Sequence, residues 1–196
     1  MISQQKVILV HGYKTTPNGA WFPWLMGEVK KLAIFAVALD MPTPETPTQA
    51  EWVEEIARTV DRHKAGDVYL VGHSLGVAAI LDYLQSPHAK PVRGAVLVAG
   101  RVHPSANLRT AGFYQNFDFD KIRSKSDGFV VIHAVDDDMV PYDDGVTLAH
   151  ALGVELVTLP SGRHLTGSQG VFVLPPALEG LIKLGLTSER NSEDVY

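Results

Sequence analysis

The chain has 196 residues, 45% of them apolar and 20% charged, with a formal net charge of −5 and no long basic run. That balance suits one domain with a sizeable buried core and excludes a basic nucleic-acid surface. The absence of cysteine excludes a disulfide framework, a thiolate metal site and a cysteine nucleophile, so any nucleophile is an oxygen or an amine.

Short β-branched runs alternate with helical patterns along the chain, the signature of a parallel sheet covered by helices on both faces. The first strand is expected at Lys6 to Val10; its apolar run is too brief for a signal-peptide core or a membrane span, and the expected location is the cytoplasm. His11-Gly12-Tyr13-Lys14 follows, then a helix near Trp21 to Leu32 with Trp21, Leu25, Val29 and Leu32 inward. Pro23 fits that helix only in its first turn. After a strand at Ile34 to Leu39, a helix from Thr48 to His63 sets Trp52, Ile56 and Val60 against a charged face, with Glu54 and Arg58 spaced to pair at i and i+4. A third strand, Asp67 to Val71, runs through a turn into a helix from Ser74 to Gln85, and a fourth strand spans Val92 to Ala99.

Gly100 to Asp127 breaks the alternation and is too long for an ordinary connection. Its aromatics, Phe113, Tyr114, Phe117 and Phe119, fit a pocket lining and satellite packing under a loop equally well. The pattern resumes with a strand at Phe129 to Val135, a helix at Tyr142 to Leu152, a strand at Val154 to Leu159 and a closing helix near Pro176 to Leu184. The expected architecture is a three-layer α/β/α sandwich around about six mostly or fully parallel strands, as one domain over residues 1–187 with a polar tail at 188–196.

Gly72-His73-Ser74-Leu75-Gly76 fits the G-x-S-x-G nucleophile elbow and falls between a strand and a helix, where such a turn belongs. The glycines allow a sharp turn and a close strand-to-helix approach, while Ser74 projects above the sheet edge with the helix N-terminus facing the reacting group. A serine needs a base and a group that orients the base. Asp136-Asp137-Asp138 follows the fifth strand and His164 follows the sixth, so both loops leave the carboxyl edge of the sheet, where ligands gather in open α/β folds. The order serine, aspartate, histidine is that of α/β-hydrolases. Three adjacent aspartates also suit capping of the next helix, a role expected of Asp136 or Asp138. For an oxyanion hole, Leu75 N–H supplies one donor and Tyr13 N–H the other, with Lys14 as the alternative. His11 and His73 are expected to be structural residues beside the site. His63, His88, His103, His133 and His150 show no partner pattern.

The motifs VHGY at Val10 to Tyr13, WFPWL at Trp21 to Leu25, GHSLG at Gly72 to Gly76, LVAG at Leu97 to Gly100, DDDMVP at Asp136 to Pro141 and GRH at Gly162 to His164 belong together. In them the chain resembles the small serine hydrolases of the retinoblastoma-binding-protein type, a lidless branch of the α/β-hydrolase fold with bacterial members. The resemblance implies a cofactor-free and metal-free esterase-like enzyme, its nucleophile on Ser74 and its base on His164. The pattern D-x-x-V-P places the acid on Asp137, leaving Asp138 to cap the following helix. Arg163 departs from the family, which commonly has glycine before the histidine. The expected partner is a small acyl substrate. The competing reading is a protein-interaction module with a vestigial or secondary hydrolase site and an unidentified protein partner.

Overall fold

A computed structural model describes residues 5–63, 68–104, 107, 109–114 and 116–188. Among the described residues, six strands and six helices alternate in the order β1 (Lys6–Val10), α1 (Phe22–Lys31), β2 (Phe35–Leu39), α2 (Gln49–Val60), β3 (Val68–His73), α3 (Leu75–Gln85), β4 (Gly94–Val98), α4 (Phe119–Ser124), β5 (Phe129–Ala134), α5 (Tyr142–Leu152), β6 (Leu156–Leu159) and α6 (Pro175–Lys183). The sheet runs β2-β1-β3-β4-β5-β6 with every neighbouring pair parallel. Two apolar layers flank it, one under α2, α3 and α5 and the other under α1 and α6, which makes the expected three-layer sandwich.

The central strands are apolar on both faces because helices cover both, so β3, β4 and β5 are buried throughout. The edge strand β2 leaves Phe35 exposed. Pro23 lies in the first turn of α1, where its missing N–H costs nothing. On α2, Arg58 pairs with Glu55, three residues before it, at 2.5 Å instead of the expected Glu54. None of the described helices is long and apolar enough to cross a membrane. Asp67 and, apart from Ser188, the expected tail lie outside the described residues.

The long excursion after β4 holds a short 3-10 turn, Ala111–Phe113, and the six-residue α4. Its aromatics do not line the cleft beside Ser74. Phe113 is buried edge-on against Trp52, with ring centroids 5.4 Å apart, and Tyr114, Phe117 and Phe119 join the same apolar layer. The segment completes the core over α2 and α3.

The strand order reverses between β1 and β3: one leads outward to β2 and the other to β4. At such a switch point the loops leaving the carboxyl ends of adjacent strands diverge and open a crevice. The turn after β3 and the loop after β1 meet there.

Candidate active site

Ser74 occupies the turn between β3 and α3 with φ 56° and ψ −119°, a left-handed conformation that a non-glycine residue adopts only when its surroundings hold it. Those surroundings are specific. Ser74 N–H donates to Val98 O at 2.9 Å, and Ser74 O accepts from Val77 N at 3.0 Å. A Cβ on Gly76 would lie 2.1 Å from Val10 O, and one on Gly12 would lie 3.0 Å from Ser74 Cβ, so α3 and the β1–α1 loop close on the turn only because both residues are glycine.

His164 Nε2 lies 2.8 Å from Ser74 Oγ, and its Nδ1 lies 2.8 Å from Asp137 Oδ2. The imidazole is enclosed at 3% side-chain exposure, and the Asp137 side chain is fully buried. Burial alone raises the Asp137 carboxyl. Hydrogen bonds from His133 and His164, the nearby His164 ring and the Val140 N–H together outweigh burial and hold it well below the usual carboxylate range. The carboxylate stays ionised and acceptor-only, so it favours a proton on His164 Nδ1 and leaves Nε2 to accept from the serine.

A cleft of about 510 Å³ opens beside Ser74. Its walls include Tyr13, Phe22 and Met139, the hydroxyls of Thr15, Thr16, Thr166 and Ser168, and the cationic Lys14. Lys14 N–H donates to Pro44 O at 3.1 Å, so it is not the alternative oxyanion donor that the sequence left open. Leu75 is the first residue of α3, where helix geometry leaves N–H groups unpaired and aimed outward.

The sequence matches the family described as serine hydrolase over residues 7–182. The chain belongs to the serine hydrolase family. This serine hydrolase is 30% identical over 175 residues to Bacillus subtilis YdeN, an alignment covering 87% of this chain and 91% of that one. It is similar to the crystal structure of the Bacillus subtilis ydeN gene product, with a TM-score of 0.85 and 29% identity over 92% of this chain and 98% of that one. Est1E from Butyrivibrio proteoclasticus shares the fold at a TM-score of 0.73 and 15% identity, covering 94% of this chain and 89% of that one.

The three consecutive aspartates of this hydrolase divide their work in a way that differs from expectation. Neither Asp136 nor Asp138 caps α5, whose N-cap is Pro141 with no side-chain cap. Asp136 Oδ1 accepts Arg163 N–H at 2.8 Å, while Asp138 pairs with the Arg163 guanidinium and accepts from Gln169 Nε2 at 3.1 Å. Asp137 Oδ1 accepts from the N–H groups of Met139 and Val140, both at 2.9 Å, and His164 Nδ1 faces both carboxylate oxygens, Oδ2 at 2.8 Å and Oδ1 at 3.1 Å. Arg163 has φ 51°, a conformation that glycine adopts at less cost. The flanking carboxylates hold it there, and His164 is presented from the next position.

His11 and His73 both border the cleft beside Ser74, and their ring nitrogens meet backbone groups. Burial pushes His11 down; its Nδ1 faces Gly12 O at 2.8 Å and its Nε2 accepts from Met41 N at 3.2 Å. Burial, with the neighbouring His164, pushes His73 down to about 3, so its neutral ring donates from Nε2 to His164 O at 2.9 Å. Sequence reasoning missed His133, four residues before Asp137 and 3.2 Å from Oδ2. The available signal was a histidine one residue before the end of a strand and four before the carboxylate.

Proposed function

We propose that this hydrolase cleaves small carboxylic esters through an acyl-enzyme on Ser74, with His164 as base and Asp137 orienting it. The unbroken run from Ser74 Oγ through His164 to Asp137, 2.8 Å at each link, carries this reading. In the first half-reaction Ser74 Oγ attacks the ester carbon and its proton passes to His164 Nε2, which then protonates the departing alcohol. In the second, water repeats the attack on the acyl-serine and releases the acid. The N–H groups of Tyr13 and Leu75 bind the carbonyl oxygen as it gains charge. The chemistry requires no cofactor or metal.

The motif set supports a place within the retinoblastoma-binding-protein type. The cleft volume and its mixture of hydroxyls with Tyr13, Phe22 and Met139 support a short or medium acyl group rather than a long lipid chain. Stopped-flow hydrolysis of 4-nitrophenyl esters of increasing chain length tests the proposal. A burst matching the enzyme concentration should precede steady turnover, and Ser74→Ala should lose both while keeping its circular dichroism. Retention of burst and turnover by the alanine variant would remove Ser74 from the mechanism. A wild type inert toward esters, thioesters and amides would favour the interaction-module reading.

A further inference from the structure

His133 is a fully buried imidazole that the chemistry above leaves unused. It stands near the end of β5 with its ring edge-on to Tyr142 of α5, centroids 6.1 Å apart. Its Nε2 lies 3.1 Å from Val140 O and 3.2 Å from Asp137 Oδ2, the same oxygen that faces His164 Nδ1. Both neighbours of Nε2 are acceptors, so that nitrogen carries a proton, which it shares between Val140 O, its hydrogen-bond acceptor, and the adjacent Asp137 Oδ2. His133 Nδ1 is buried without a partner, and a second proton there would be an unsatisfied donor. The ring therefore stands as the neutral Nε2–H tautomer. It is wedged over Gly145, where a Cβ would come within 2.6 Å of Nδ1, so α5 leaves it little room to turn.

We propose that His133 is a positioning residue of the active site, its Nε2–H holding Asp137 Oδ2 against His164 and drawing charge from the carboxylate so that Asp137 orients the imidazole without taking its proton. The proposal rests on the Ser74–His164–Asp137 reading and adds a fourth member behind it. A hydrogen bond to a buried charged group contributes enough to change a rate by roughly tenfold to hundredfold. The other groups around the pair do not substitute for it. His73, from the end of β3, is neutral and turned to His164 O, with His11, just after β1, behind it. Arg163 is paired with Asp138. Asp144 of α5 accepts from the Val102 and His103 N–H groups and faces the His103 ring, while Tyr142 OH is bonded to Thr158 Oγ1.

The test compares His133→Phe, which fills the ring's place without a donor, with His133→Gln, whose amide nitrogen reaches toward the position of Nε2. In the phenylalanine variant kcat should fall roughly tenfold to hundredfold at nearly constant KM. The acid limb of kcat/KM should move to higher pH, because a more basic carboxylate holds the His164 imidazolium more tightly. The glutamine variant should restore both. A merely structural histidine would lower the melting temperature while leaving kcat per folded molecule and the acid limb in place, and that result would overturn the proposal.

If the phenylalanine variant does not fold, nitrogen-resolved imidazole spectra of the wild type decide. They should show His133 protonated at Nε2 and bare at Nδ1, with the Nε2 proton shifted by Asp137→Asn. The opposite tautomer, or a proton indifferent to that substitution, would contradict the proposal. Fluorophosphonate labelling of wild-type Ser74 separates the two levels. Its absence would sink the hydrolase mechanism, whereas labelling with an unmoved His133→Phe profile would remove His133 alone.

Discussion

Two aspartates with buried side chains, Asp137 after β5 and Asp82 on α3, show what decides the state of a carboxyl inside this fold. Asp137 is surrounded by donors: His164, His133 and the N–H groups of Met139 and Val140. Asp82 of α3, under the excursion after β4, is 3% exposed and accepts from Gln85 at 3.0 Å, while its Oδ2 is buried without a hydrogen-bond partner. Burial raises both. Donors outweigh it at Asp137 and hold the charge, whereas at Asp82 burial prevails over Gln49 and Gln85 and the carboxyl is pushed up to about 7. The loop that carries the proposed chemistry thus keeps an ion, while burial holds the carboxyl of Asp82 well above the usual carboxylate range.

The sharpest way to break this contrast is at the charged carboxylate. Asp137→Asn should preserve the fold but favour the wrong tautomer of His164, lowering kcat by as much as about ten-thousandfold by analogy with serine proteases. Steady-state kinetics beside circular dichroism check it; a variant within a few-fold of wild type would remove Asp137 as the orienting group.

The second test reads stability. Because the folded-state pKa of Asp82 is raised above its unfolded value near 3.9, its contribution is fully present below that value and is lost as pH rises toward about 7. Unfolding free energy should therefore fall across that window by as much as about 4 kcal/mol. Asp82→Asn should flatten the slope. Asp137 acts in the opposite direction and in a different window, since its depressed pKa stabilises above the usual carboxylate range and that stability disappears only as pH falls below it. Denaturant titrations between pH 4.5 and 8 distinguish the two, and an unchanged slope in the Asp82 variant would refute this account of its burial.

The smallest expected effect concerns the loop that presents the histidine. Asp136→Ala removes the acceptor for Arg163 N–H and frees a residue held in a left-handed conformation that costs about 1–2 kcal/mol. We expect a several-fold loss of kcat, partly recovered by adding Arg163→Gly, which adopts that conformation without strain. No recovery in the double variant would mean that backbone strain is not what Asp136 opposes.

Much of this was legible in the sequence where a local constraint writes itself into residue type. The elbow needs Gly76 because Val10 O occupies the space of a side chain, and the alternating strands need β-branched residues because helices bury both faces. What resisted reading depends on contacts made only after folding. Asp136 and Asp138 looked like caps because nothing local ties them to Arg163, 27 and 25 residues away. His133 showed no partner pattern, since its partner is chosen by how the next loop bends back. The six residues of α4 are too few for a helical period to stand out, and the excursion aromatics carry no sign of which layer they join.

The central claim is that Ser74 is activated by the chain through His164 to Asp137. Mass spectrometry of protein treated with a fluorophosphonate tests it most directly. Wild type should gain one adduct, mapped to Ser74, at a rate that falls sharply in Asp137→Asn and disappears in Ser74→Ala. An adduct that forms equally well on the alanine variant, or a wild type that forms none, would contradict it.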